Sequence, residues 1–174
     1  WVFDNEISHV KHRKDEKSEW KNENLASCTV SDGSVVEVYT MAGGFLGTGV
    51  INRKSKITIR LISSEHADQV LADTYAFYQE KVQSAVDLRS LYYSELDSYR
   101  LIFGEADFIP GFICERFCDE ENRIFLVVQF LSLSCEIFRK EILAALKKIC
   151  QPDGIYERSD TSVRDKEGLA QVSG

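Results

Sequence analysis

The sequence predicts an α+β fold, with a β-rich part to about residue 65, then a helix, then a β-β-β-α-β order. Hydrophobic residues of the first part alternate with a period of two from Cys28 onward, which is typical of half-buried strands. After residue 65 the hydrophobic residues recur at helical spacing, which is typical of a helix. Beyond that helix, short apolar runs are separated by turn residues. We therefore expect two modules, residues 1–65 and residues 66–174, connected by a helix over Ala67–Arg89.

Composition and charge restrict the class of protein. The 174 residues are 44% hydrophobic and 28% charged, which is ordinary for a soluble globular chain. There are five cysteines without a C-x-x-C pair and no apolar run long enough to span a bilayer, so we expect a cytoplasmic protein without membrane contact. The net charge of −7 argues against indiscriminate nucleic-acid binding, but residues 1–65 are neutral and residues 66–174 carry the whole excess.

Four glycines, Gly43, Gly44, Gly47 and Gly49, follow a strand-like run in the stretch EVYTMAGGFLGTGVINRKSKITIRLI. A phosphate-binding glycine cluster would lead into a helix, whose N-terminal amides meet the phosphate. Here an alternating β-branched run follows instead, so the first two glycines are expected in a hairpin turn at Ala42–Gly44. Gly47 and Gly49 are two apart in a strand, and both leave one face bare for an aromatic side chain or a ligand.

The run after the glycines predicts a strand with an apolar face and a basic face. The buried set is Ile57, Ile59 and Leu61, and the outward set is Lys56, Thr58 and Arg60. Arg53 and Lys54 lie in the preceding turn, so the basic side chains could follow a phosphate backbone; a plain solvated strand face is the alternative. The candidate RNA-binding residues are Arg53, Lys54, Lys56, Arg60, Gly47 and Gly49.

The second module begins with the predicted helix, whose apolar stripe is Leu71, Tyr75, Tyr78, Val82 and Ala85. Two strands follow in YRLIFGE and FICERFC, and NRIFLVVQFL is apolar throughout, so it is expected at the centre of a sheet. A second helix, SCEIFRKEILAALKKIC, and a final strand, IYERSD, complete the order. In the first module, Ser31–Gly33 is expected to form a turn between two strand-like runs.

Other residues that could carry chemistry have plainer explanations. Glu105 and Asp107 could form an acid/base pair, but without a nearby histidine a turn held by the aspartate is favoured. Cys114 and Cys118 would lie about 13 Å apart along a strand, too far for a zinc knuckle, so buried thiols are expected. The histidines are predicted to be surface residues: His9, His12 and His66. We predict no catalytic, cofactor-binding or metal-binding residue in this chain.

Four blocks of the sequence carry a resemblance to one bacterial family. These are WVFDNEI, VVEVYTMAGGFLGTGVINRKSKITIRLI, YRLIFGEADFIPGFICERF and IYERSDTSVRDKEGL, in the family's order. They resemble the S-adenosylmethionine-dependent methyltransferases that form 5-methylcytosine in large-subunit ribosomal RNA. The resemblance implies a PUA-like β-barrel in residues 1–65, a small RNA-binding domain whose first strand would precede Trp1. It also implies a small ββ-β-α-β domain in residues 66–174, and ribosomal RNA as the partner.

The chain also departs from that family. The Rossmann-like domain, with its S-adenosylmethionine site and catalytic cysteine, would follow Gly174, and none of the five cysteines here takes that role. The charged run His9–Asn24 is longer than usual, and Phe108 stands where the family usually has glycine. The chain is therefore expected to be the RNA-recognition part of a methyltransferase that does no chemistry alone. A stand-alone PUA-type RNA-binding or adaptor module is the alternative, and a reading frame that continues into a cofactor motif would separate the two.

Overall fold

The β-rich first module consists of a hairpin and a three-stranded meander. A computed structural model describes residues 1–12 and 19–174, so the middle of the charged run His9–Asn24 lies outside the described residues. On either side of that gap, strands β1 (Val10–His12) and β2 (Lys21–Glu23) pair antiparallel. The meander consists of β3 (Val35–Tyr39), β4 (Phe45–Ile51) and β5 (Ile59–Ser63), all antiparallel.

The turn between β3 and β4 confirms the hairpin predicted at Ala42–Gly44. The Gly43 amide donates to the Thr40 carbonyl, and Gly43 has φ of +85°, which glycine adopts without the steric penalty of a Cβ atom. The expected turn at Ser31–Gly33 is also present, with the Ser34 amide donating to the Ser31 carbonyl. Only the run after this turn forms a strand, so the prediction of a strand before it is wrong.

The N-terminal residues extend the meander at its β5 edge. Val2 and Ile59 exchange two backbone hydrogen bonds, of 2.9 and 3.0 Å, as an isolated antiparallel bridge. A closed barrel over residues 1–65 stays a prediction, because the described strands of this module pair in two separate sheets.

The predicted helix Ala67–Arg89 is two helices, α1 (Ala67–Ala72) and α2 (Thr74–Ser90). Asp73 separates them with φ of −152°, and its carboxylate accepts a 2.9 Å hydrogen bond from the Ala76 amide. Aspartate is a strong helix N-cap, so this side chain satisfies an amide that would otherwise lack a partner and starts a new helix. None of the helices in the described residues is both long and apolar enough to cross a membrane.

The second module is a five-stranded sheet covered on one face by helices. After β6 (Tyr99–Phe103), β7 (Phe112–Cys118) and β8 (Ile124–Phe130) come the helices α3 (Leu133–Glu136) and α4 (Arg139–Cys150). The chain ends with β9 (Gly154–Ser159), α5 (Ser162–Lys166) and β10 (Val172–Ser173). The strand order is β10-β9-β8-β7-β6, with only β8 and β9 parallel. The prediction that the run at β8 is central is confirmed.

The main core lies between this sheet and the helices α2 and α4. Tyr78, Val82 and Ala85 of the predicted α2 stripe are buried, whereas Leu71, in α1, is exposed. The fully buried contributions from α4 and the sheet are Ile142, Ala145, Leu146, Leu101, Cys114, Leu126 and Val128. The predicted α+β order and the central position of β8 are therefore explained by one apolar layer between helices and sheet.

Candidate nucleic-acid interface

The loop between β4 and β5 presents the basic side chains singled out in the sequence. The Asn52 amide donates to the Thr58 carbonyl at 2.7 Å, closing the loop, and the Asn52 side chain accepts from the Lys54 amide at 3.1 Å. The Ser55 hydroxyl accepts from the Ile57 amide at 3.2 Å. Asn52 and Ser55 are buried, so the loop is built on its two inward polar residues, while Lys54 and Lys56 are exposed.

Glu167 fastens this loop to the second module. Its carboxylate accepts from the Ser55 hydroxyl at 2.6 Å and from the Asn52 side-chain amide at 3.0 Å. The Leu133 amide, at the start of α3, donates to the same carboxylate at 3.3 Å. Burial alone would raise the pKa of Glu167, but hydrogen bonds from Ser55 and Arg60 lower it below the ordinary value of 4.5. Glu167 is therefore an ionised, buried anchor.

Arg60 belongs to this anchor rather than to an exposed strip, so the prediction of an exposed Arg60 is wrong. Its side chain is 12% exposed and bonds Glu167 at 2.8 Å and Glu105 at 3.3 Å. The guanidinium also lies 5.9 Å from the centre of the Trp1 ring. Strand β5 is covered on both faces, by the core on one side and by the Glu167 segment on the other, and Thr58 is buried with it.

The apolar set predicted on the other face of β5 is only partly confirmed. Ile59 is buried, whereas Ile57 and Leu61 are half-buried and Ile62, one residue further, is buried. The pairing of β4 with β5 shifts register between Thr48 and Gly49. Because a shift by one residue moves side chains to the opposite face, simple alternation does not describe this strand.

Gly47 and Gly49 are buried, and the bare face they create is filled by the chain itself. A Cβ atom on Gly49 would lie 2.6 Å from the Arg60 carbonyl oxygen and 2.7 Å from the Ile59 side chain. A Cβ atom on Gly47 would lie 2.6 Å from the Ser63 carbonyl oxygen. These glycines permit the close approach of β5 across the register shift and leave no open surface for a ligand at that point.

Three of the six candidate residues share the exposed loop: Arg53, Lys54 and Lys56. Part of the Arg53 guanidinium is already bonded within the chain, because it donates to the Asp32 carboxylate at 2.9 Å and to the Cys28 carbonyl at 3.0 Å. Burial raises the pKa of Asp32, but hydrogen bonds from Arg53 outweigh this and lower it. The stem of Lys54 runs over Gly168, where a Cβ atom would lie 2.3 Å from Lys54 Cδ. Neither lysine has an ion-pair partner within the described ranges.

The acid/base alternative is not supported by the positions of its two carboxylates. Asp107 is buried and bonds the Arg89 guanidinium twice, at 2.7 and 2.6 Å, and also accepts from the Phe103 amide. Glu105 points elsewhere and accepts from the Trp1 indole at 3.0 Å. Asp107 lines a surface groove that does not include Glu105. The aspartate therefore holds a turn and the end of α2, as the plainer explanation predicts.

The cysteines and histidines do not assemble a metal site in the part of the chain that the structure describes. Burial raises the pKa of the Cys114 and Cys135 thiols, both of which lie in the core. His66 is exposed, as predicted; it stacks on Phe45 with ring centres 4.1 Å apart and bonds Glu37 at 3.0 Å.

Sequence reasoning missed two features of this surface. Glu167 shows no local signal of its role, because its side-chain partners Asn52, Ser55 and Arg60 lie more than 100 positions away in the chain. A groove around Lys81 and Phe108 was also missed. The sequence signal for this groove is Phe108, a bulky residue directly before Ile109-Pro110-Gly111, where the backbone is left-handed.

Comparisons with known proteins match the first module to a domain family and the whole chain to curated relatives. Residues 1–64 match the family described as PUA-like domain. Ribosomal RNA large subunit methyltransferase I of Tolumonas auensis is 32% identical over 176 residues, which cover 100% of this chain and 38% of the relative. The protein of the same name from Photobacterium profundum is 33% identical over 177 residues, with the same coverage. The chain thus spans little more than a third of these relatives.

Solved structures with a similar fold extend the comparison. One, assigned to the SAM-dependent methyltransferases of Streptococcus mutans, has a TM-score of 0.61 and 23% identity and covers 78% of this chain and 34% of that chain. A second, assigned to the methyltransferases and solved as a complex with SAH, has a TM-score of 0.60 and 24% identity with the same coverage. At this identity the likeness concerns the fold.

Proposed function

We propose that this chain is the RNA-recognition part of an S-adenosylmethionine-dependent methyltransferase that forms 5-methylcytosine in large-subunit ribosomal RNA. The main support for this proposal is the similarity of the whole chain to proteins named ribosomal RNA large subunit methyltransferase I. The match of residues 1–64 to a PUA-like domain supports a division into an RNA-binding module, residues 1–65, and a central module, residues 66–174.

The RNA contact is assigned to the exposed loop formed by Arg53, Lys54 and Lys56. Both lysine side chains are exposed and have no ion-pair partner among the described residues, and Asn52 and Ser55 fix their backbone through hydrogen bonds, which suits contact with successive phosphates. Arg60, Gly47 and Gly49 then act indirectly, by fixing where the loop stands. Two or three phosphate contacts give weak binding with a modest salt dependence, a slope of about −2 to −3 in log affinity against log salt.

The residues of this chain do not fit S-adenosylmethionine. Its glycine cluster leads into β4, not into a helix, and the Gly43 and Gly44 amides already donate to Thr40. In the parent enzyme the cofactor supplies the methyl group, and no step of that transfer is assigned to a side chain of this chain. The part played here is to bind and orient ribosomal RNA.

Fluorescence anisotropy with a labelled, structured ribosomal RNA fragment tests this function. We expect the Lys54→Glu/Lys56→Glu chain to bind at least tenfold more weakly in low salt, with the salt slope reduced by about two. The matched control is Lys140→Glu/Lys147→Glu, which makes the same charge change at two exposed positions of α4. Equal losses in both variants would mean that net charge alone, and not the loop, governs binding. No RNA binding by the wild-type chain would refute the proposed function.

A further inference from the structure

A groove of about 310 Å³ lies where the two modules meet. Its walls are the end of β5 and the residues that follow it (Ser63–Glu65), one face of α2, and the turn Ala106–Phe108. Binding grooves of small ligands commonly lie at such junctions and have about this volume. The exposed loop Arg53–Lys56 is at the other end of β5.

Phe108 is held in an unfavourable backbone conformation without gaining burial. Its φ of +57° and ψ of +27° are left-handed, where the Cβ atom of an L-residue is crowded. Burial of a phenyl ring could compensate for this, but 71% of Phe108 is exposed. The left-handed backbone ends the turn Gly104–Asp107, where the Phe108 amide donates to the Glu105 carbonyl at 3.2 Å, but this turn does not call for a phenyl side chain. Strained residues are concentrated at functional sites, so the ring is expected to serve binding.

Lys81 fills the space beside this ring. Its ammonium lies 4.6 Å from the centre of the Phe77 ring and 5.6 Å from that of Phe108. Burial lowers the pKa of Lys81, although the nearby Glu80 and Glu65 carboxylates oppose that effect. Within residues 1–12 and 19–174, no carboxylate lies within ion-pair distance of this ammonium.

The groove therefore offers an aromatic surface, one hydrogen-bond donor and two acidic acceptors. Glu65 and Glu80 are exposed at its walls, and their carboxylates accept no hydrogen bond from the described part of the chain. A planar ligand stacked on the phenyl ring would need a hydrogen-bond acceptor for Lys81 and, next to it, hydrogen-bond donors for a glutamate carboxylate. The Watson–Crick edge of guanine has this pattern, with the O6 acceptor next to the N1–H and N2–H donors.

We propose that this groove binds an unpaired guanine base of the RNA, stacked on Phe108, with Lys81 donating to O6 and the Glu65 or Glu80 carboxylate accepting from N1 and N2. This inference rests on the proposed function and adds base recognition to it. Uracil offers only one ring N–H flanked by two carbonyl acceptors. Adenine and cytosine each place a single amino donor beside a ring-nitrogen acceptor, so beside the Lys81 contact they lack the pair of neighbouring donors that guanine offers to a carboxylate. Their hydrogen-bonding edges therefore match the groove less well.

Single-stranded RNA oligonucleotides of uridines with one central guanine test the base preference by anisotropy. Replacing that guanine by adenine, cytosine or uracil should weaken binding to the wild-type chain about 5- to 100-fold, the usual effect of one stacked and hydrogen-bonded base. Equal affinity for all four oligonucleotides, or preference for another base, would overturn the proposal.

Phe108→Gly separates the ring from the fold. Glycine adopts a left-handed conformation readily, so this variant should unfold at the same or a higher temperature than the wild type. It should nevertheless lose the guanine preference, whereas Phe108→Tyr should keep it. If Phe108→Gly keeps the preference while Lys54→Glu/Lys56→Glu loses affinity, the guanine groove is refuted and the proposed function stands. If the wild-type chain binds none of the RNAs, including structured ribosomal RNA, both fail.

Discussion

Replacing Glu167 by glutamine should strongly destabilise the chain. The wild-type carboxylate is 4% exposed and accepts hydrogen bonds from Asn52, Ser55, Arg60 and the Leu133 amide. A glutamine of the same shape retains one acceptor oxygen and turns an NH₂ group toward two of those donors. Among the described residues, Arg60 then keeps one ion-pair partner, the more exposed Glu105 at 3.3 Å.

We expect a loss of about 3 kcal/mol in the free energy of unfolding, because two buried hydrogen bonds and a mostly buried ion pair are broken. For a chain of this size that corresponds to a fall of about 6–12 °C in melting temperature. Circular dichroism during urea and thermal unfolding measures both quantities. Glu121→Gln is the control: that side chain is 69% exposed beside Arg123, so its loss should stay within about 0.5 kcal/mol.

The difference in the free energy of unfolding between the wild type and Glu167→Gln should also depend on pH. Hydrogen bonds from Ser55 and Arg60 hold the pKa of folded Glu167 below 4.5 despite its burial, so the stabilisation is complete above that pH. It is lost as the pH falls through the folded pKa, and the gap between the two proteins should narrow there. A loss under about 1 kcal/mol at pH 7 would refute the anchoring role, given the usual cost of breaking a buried pair. A difference in unfolding free energy that stays unchanged well below pH 4.5 would refute it as well.

Two further predictions concern packing and thiol chemistry. Gly49→Ala should cost about 3 kcal/mol in urea unfolding, because its Cβ atom would lie 2.6 Å from the Arg60 carbonyl oxygen. A Cβ atom on Gly44 would meet only the Thr40 side chain, with the hydroxyl at 3.2 Å and the methyl at 3.9 Å. Gly44→Ala should therefore cost less than about 1 kcal/mol, and equal costs would contradict the assigned strand packing. In brief labelling with iodoacetamide, peptide mapping should find Cys118 modified before Cys114, since Cys114 is fully buried and burial raises the pKa of its thiol. Earlier modification of Cys114 would show that the sheet opens readily.

The parts of the fold that depend on local pattern were predictable from the sequence. The hairpin at Ala42–Gly44 follows from two glycines between strand-like runs, and the central position of β8 follows from its continuous apolar character. The break at Asp73 was not predictable in the same way. Aspartate is tolerated inside helices and favoured at their starts, and only the observed bond to the Ala76 amide distinguishes the two.

The candidate interface was predictable only where it depends on exposure of a loop. Lys54 and Lys56 stand in a polar turn between strands, and their exposure follows from that. Arg60 looked equivalent by alternation, but its environment is set by Glu105 and Glu167, which are 45 and 107 positions away. Such long-range ion pairs, like the register shift beside Gly49, have no counterpart in the local pattern.

The contact between Arg60 and Glu167 has a consequence for the order of events during synthesis. A ribosome adds about 5–20 residues per second, so the 107 positions between them take on the order of 5 to 20 s to translate. Strands β3, β4 and β5 leave the ribosome well before the side chain that will cover Arg60. Throughout that interval the β4–β5 loop has its own Asn52 and Ser55 bonds and the Arg53 contacts to Asp32 and Cys28, but not the carboxylate of Glu167 that covers Arg60. The first module therefore gains its bonds to Glu167 late, after almost the whole second module has been translated.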